Sequence, residues 1–136
     1  MRLDPEHAHR LLPRVDPGRV RSGRAVGLRD GALIALVAGG MTAVEIVALR
    51  AMDVTMDKGE VRVAIHGYGT RSILLPTDLG ARLLAWLSEC HGWDKAEPVF
   101  RGPRGPLTPM GIYKIIHRHR NANPAGQMPA LRSSSC

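Results

Sequence analysis

The chain has 136 residues, enough for one domain with a core of its own, and its 44% hydrophobic but only 4% aromatic content makes that core one of Leu, Val, Ile and Ala. A formal charge of +7 suits a polyanionic partner, because each Lys or Arg set against a phosphate releases condensed counterions. Two cysteines, Cys90 and Cys136, exclude a disulfide framework, and the apolar run from Ala32 to Ala38 falls far short of the ~20 residues that span a bilayer. No segment has the layout of a secretory signal, so a cytoplasmic location without membrane association is expected. The charge is unevenly placed: from Pro98 onward there are six basic residues (Arg101, Arg104, Lys114, Arg118, Arg120, Arg132) and no Asp or Glu.

Leu3-Asp4-Pro5-Glu6 reads as a helix start, with Asp4 as cap, Pro5 where a missing N–H is harmless, and Glu6 at the positive end of the dipole. That helix should stop near Pro13. A Pro, Gly and Arg-rich connector, Val15 to Gly27, leads to an apolar helix from about Leu28 to Ala38, which Gly39-Gly40 breaks. A further helix is expected from Thr42 to about Met52, with Val44, Ile46, Val47 and Leu49 on its apolar face. The chain should turn between Asp53 and Gly59. Val61, Val63 and Ile65 alternate with polar or small residues and predict a β-hairpin with Ile73 and Leu75, closed by the loop His66-Gly67-Tyr68-Gly69-Thr70, with a short third strand at Val54 to Met56.

Thr77 is placed to cap a helix from Asp78 to about Cys90, whose Leu79, Leu83, Trp86 and Leu87 recur at helical spacing, with Trp86 in the core. An irregular stretch follows, His91 to Pro106. The last clear helix begins at Thr108, with Pro109 at its first position and Ile112, Ile115 and Ile116 inward, and ends near Arg120. These signals describe a single α+β domain over residues 1–120, mostly helical with a small antiparallel hairpin or three-stranded sheet, and a flexible tail over 121–136.

Gly40-Met41-Thr42-Ala43-Val44-Glu45-Ile46-Val47-Ala48-Leu49-Arg50-Ala51-Met52-Asp53-Val54 resembles the Gly-Leu-Arg-x-x-Glu-x-x-x-Leu-x-x-x-Asp-Ile stretch of the tyrosine recombinase (phage integrase) catalytic domain, with Gly, Glu, Leu and Asp in register. The hairpin is similar to the family's through Arg71 and Leu74-Leu75-Pro76, and Pro106-Leu107-Thr108 matches its Pro-Leu-Ser/Thr helix start. The resemblance covers roughly residues 3–120.

Family members cleave DNA by attack of a tyrosine on a phosphodiester, with preplaced cations meeting the charge that develops on phosphorus-bound oxygens. The resemblance puts Thr42 where the first catalytic arginine stands and His66 where the hairpin lysine stands. The His-x-Leu-Arg-His segment has only an echo in Pro129-Ala130-Leu131-Arg132-Ser133. The chain ends at Cys136, before the helix that would carry the nucleophile, and its two tyrosines, Tyr68 and Tyr113, do not match the nucleophile position. The implied protein is a degenerate, C-terminally truncated relative that is not an enzyme.

Two further chemistries are excluded on spacing. His7 with His9, and His117 with His119, lie two apart and diverge on a helix, so no metal site is expected, and no phosphate-cradling glycine loop calls for a cofactor.

What the resemblance leaves is a grip on double-stranded DNA. The late helix would present Thr108 and Met110 at its start and Lys114 and Arg118 along one face, with Arg101 and Arg104 just before it. Thr42, Arg50, His66, Tyr68 and Arg71 complete the expected DNA-binding set. The function expected is a transcriptional repressor from a phage or mobile element. The alternatives are a truncated or split recombinase, or a regulator whose partner is an intact recombinase.

Overall fold

A computed structural model describes residues 3–16, 23–66, 70–89, 95–102 and 104–121. The described residues form five α-helices, a three-stranded antiparallel sheet and a minimal hairpin, in the order α1 (Pro5–Leu11), α2 (Arg24–Ala38), α3 (Ala43–Ala48), β1 (Val54–Asp57), β2 (Glu60–His66), β3 (Thr70–Leu75), α4 (Thr77–Glu89), β4 (Arg101–Gly102), β5 (Gly105–Pro106) and α5 (Pro109–Asn121).

The apolar run in α2 makes it the central element. Every residue from Asp30 to Ala38 is buried, and a helix apolar on all sides needs neighbours on all sides. Helices α1, α3, α4 and α5 all pack against it. It begins at Arg24, four residues before the expected start, because the Gly27 N–H already bonds to the Gly23 carbonyl and Gly27 is buried. Its other end is a Schellman turn: the Gly40 N–H bonds to Val37 O and the Met41 N–H to Leu36 O, with Gly40 at φ +102°.

Helix α3 is shorter than its sequence pattern predicts. It stops at Ala48, and the following residues unwind because their backbone finds partners in a distant segment: Val99 N to Leu49 O, Ala51 N to Glu97 O and Met52 N to Lys95 O. Ile46 and Leu49 are buried as expected, but Val44 is 66% exposed, since it lies about 200° around the helix from Ile46.

The turn expected between Asp53 and Gly59 is tighter, because β1 occupies most of it. Lys58 and Gly59, both at positive φ, make the two-residue hairpin between β1 and β2. Val63 pairs with Val54 on one side and Ile73 on the other, and Val61, Val63, Ile65 and Leu75 turn inward. The centre of the loop that contains Tyr68 lies outside the described residues, as do Cys90 and everything after Asn121.

Helix α4 buries Leu79, Leu83 and Trp86, whose indole N–H donates to Val99 O at 2.8 Å. Its Gly80 is a contact point with the sheet, where an added Cβ would lie 2.9 Å from Val61 Cγ2. Gly80→Ala should therefore destabilise the protein by about 1–3 kcal/mol through overpacking, read as a lower urea midpoint with an unchanged m-value.

Candidate nucleic-acid interface

The expected DNA-binding residues fall into three groups. The first joins α3 to the hairpin. Thr42 caps α3: its hydroxyl accepts from the Glu45 N–H and its own N–H donates to Glu45 Oε1, a reciprocal capping box. Both Glu45 oxygens also receive Arg71, with Nη1 to Oε2 at 2.5 Å and Nη2 to Oε1 at 3.2 Å. The Arg71 hydrogen bonds outweigh partial desolvation and hold the Glu45 carboxyl below its usual range. Arg71 nevertheless keeps half its side chain exposed.

Beside it runs a second chain of contacts. The His66 ring meets Asp53 Oδ1 through Nε2 at 3.0 Å, and Asp53 Oδ2 accepts from the Arg50 N–H at 3.0 Å. The Arg50 guanidinium reaches across to Ala96 O. Asp53 is largely buried while His66 remains exposed, so the carboxylate fixes where the imidazole stands. Thus Thr42 and Arg71 meet through Glu45, and Arg50 and His66 through Asp53.

The second group gathers on a carboxylate inside α2. Asp30 is fully buried and accepts from Arg29 through Oδ1 and from Arg118 and His119 through Oδ2, both of the latter at 2.8 Å. Arg29 also donates to Arg101 O. Burial works to raise the Asp30 pKa, but the His119 hydrogen bond and the attraction of Arg29 together prevail, and it lies below the ordinary 3.8. Sequence reasoning missed Asp30, Arg29 and His119. The signal was present: Arg29 and Asp30 are the only charges between Leu28 and Ala38.

The third group is the start of α5 and the turn before it. Thr108 caps the helix by accepting from the Gly111 N–H at 3.1 Å, and Met110 stands 57% exposed. Arg104 and Lys114 are exposed and have no ion pair with another described residue. Arg101 pairs with Glu97 at 3.1 Å. Tyr68 and Arg132 lie outside the described residues. Tyr113 is half-buried and shares a cavity with Thr42, Ala43, Gly40 and Met41, so the starts of α3 and α5 lie side by side. His117 and His119 diverge, the first toward Asn121 and the second toward Asp30.

No protein-family model matches the chain, and no curated protein sequence does. Solved structures do. XerH site-specific recombinase bound to difH substrate in a pre-cleavage complex superposes with a TM-score of 0.68 at 26% identity over 88% of this chain. The same recombinase bound to palindromic difH in a post-cleavage complex gives 0.68 at 25% identity, again over 88%. The chain spans 35% of the length of each recombinase chain. The fold is therefore that of a tyrosine-recombinase-like α+β domain.

Because Asp30 is ionised and paired in the folded state, its stabilising effect is complete above the ordinary value of 3.8 and is lost as pH falls through the lowered one. Asp30→Asn should cost about 3 kcal/mol near neutral pH by leaving its cationic neighbours uncompensated. The gap to wild type should narrow on acidification, as followed by thermal unfolding across pH.

Proposed function

We propose that this chain is a non-catalytic, sequence-specific DNA-binding protein built on a tyrosine-recombinase-like domain, and that it acts as a transcriptional repressor carried by a phage or other mobile element. The observation that carries the proposal is how two residues are held that the sequence resemblance puts at cation positions of recombinase chemistry. Thr42 has an uncharged hydroxyl already committed to capping α3, and the His66 ring is held by Asp53. An arginine fork or a lysine ammonium would deliver fixed positive charge to a phosphoryl group, which a threonine hydroxyl does not.

DNA binding itself is supported by two kinds of observation. The similar solved structures are recombinase–DNA complexes. In addition, the half-exposed Arg71 and the exposed Arg50, Arg104, Lys114 and Arg118 lie on the elements named above, and Thr108 and Met110 stand at the exposed start of α5. Phosphate contacts from the arginines and Lys114 would set the register, with Thr108 and Met110 at base edges.

A second reading, part of a longer or split recombinase, is favoured by the 35% coverage of the XerH chains. A regulator that binds an intact recombinase is the third, and it requires little DNA affinity of the chain alone.

Selection of bound fragments from the source genome should recover promoter sites. Affinity for such a site should fall steeply with salt, and Lys114→Ala should weaken it by about 1–3 kcal/mol while reducing the salt slope by about one. Lys114 is a cleaner probe than Arg118, whose loss also strips a partner from Asp30. Binding that ignores salt, or no duplex binding at all, would overturn the proposal.

A further inference from the structure

Helices α1 and α5 both pack on α2 but not closely on each other, and a cleft of about 480 Å³ separates them. Its walls are the faces that helical spacing puts together: Asp4, His7 and Ala8 on one side, and Tyr113, Ile116, His117 and Arg120 on the other, with Val37 of α2 between them. This volume falls in the range of small-molecule sites, which combine apolar lining with a few convergent polar groups.

The polar groups here are unevenly signed. Arg10 and Arg120 line the cleft from opposite helices, and neither is engaged by another described residue. The Nε2 atom of His7 is buried behind the cleft wall with no hydrogen-bond partner among the described residues. Asp4 is the one carboxylate in the lining, and one of its oxygens already caps α1. His117 is turned to Asn121. Two guanidiniums that have no partner among the described residues, beside the partly exposed side chains of Leu3, Tyr113 and Ile116, match an anion with an apolar body. A bare phosphate would leave the partly exposed side chains of Leu3, Tyr113 and Ile116 uncovered.

We propose that the α1–α5 cleft is a binding site for a small amphipathic carboxylate, its hydrocarbon lying on Leu3, Tyr113 and Ile116 and its carboxylate received by Arg10 and Arg120. No DNA contact is needed for this site, and it stands apart from the function proposed above.

The test is a titration of ¹⁵N-labelled full-length protein with octanoate, followed by amide shifts, with octylammonium and inorganic phosphate as comparison probes. Octanoate should give saturable shifts concentrated on α1 and α5, and the two comparison probes should not. Arg10→Ala with Arg120→Ala should raise the octanoate Kd about tenfold or more while leaving the remaining spectrum in place. Ile116→Trp, which fills the cleft from its partly exposed wall, should abolish the shifts, and His7→Gln, which keeps a donor and an acceptor, should retain them. Equal response to octylammonium would overturn the proposal, as would phosphate binding as tight as octanoate, octanoate binding indifferent to the arginine variants, or no saturable shift.

Discussion

A carboxylate fully enclosed in the central helix is the constraint to which the rest of the molecule answers. Asp30 sits among the apolar residues of α2, and an ion placed there without partners would cost far more than the net stability of a domain this size. Its partners come from one neighbouring residue, Arg29, and from the far end of the chain, Arg118 and His119 on α5. Satisfying Asp30 therefore fixes the rotation of α5 about its axis. Because Arg29 also holds the Arg101 carbonyl, the segment leading into α5 is tied to the same point. The orientation of Thr108, Met110 and Lys114 follows from a buried charge about one to three turns further along the helix.

The same logic of paired charge governs the hairpin side. Glu45 serves α3 as a cap and the sheet as an ion-pair partner, so the helix start and β3 are joined through one side chain. Asp53 does the equivalent for β2 and the backbone after α3. Carboxylates placed this way position basic side chains while neutralising part of their field. Such a surface is suited to holding a DNA backbone, where many modest contacts sum, and less suited to stabilising a transient charge at one phosphorus, where several uncompensated cations must converge. The proposal of binding without cleavage rests on that difference, applied at Thr42 and His66.

Much of this was legible in the sequence because it is local. The Asp4-Pro5 start of α1, the Gly39-Gly40 stop, the alternation of Val61, Val63 and Ile65, and the Thr108-Pro109 start of α5 each carry their signal within a few residues, and the fold follows from their order. What escaped depends on partners far along the chain. Nothing near Ala48 says that the helix ends there, because the backbone groups that unwind it belong to residues 95–99. Arg118 reads as one more DNA-facing cation until Asp30, 88 residues earlier, is placed beside it. Thr42 was visible as a helix start and Glu45 as a position of the family motif, but the sharing of Glu45 with Arg71 was not.

The central claim is that this recombinase-like domain holds DNA without attacking it. Its most direct test uses a duplex carrying the selected binding site with a nick that traps any covalent intermediate, incubated with the protein and resolved under denaturing conditions. The account predicts a stable complex on native gels and no covalent protein–DNA species on denaturing ones. A covalent adduct that disappears in Tyr113→Phe or Tyr68→Phe would contradict it.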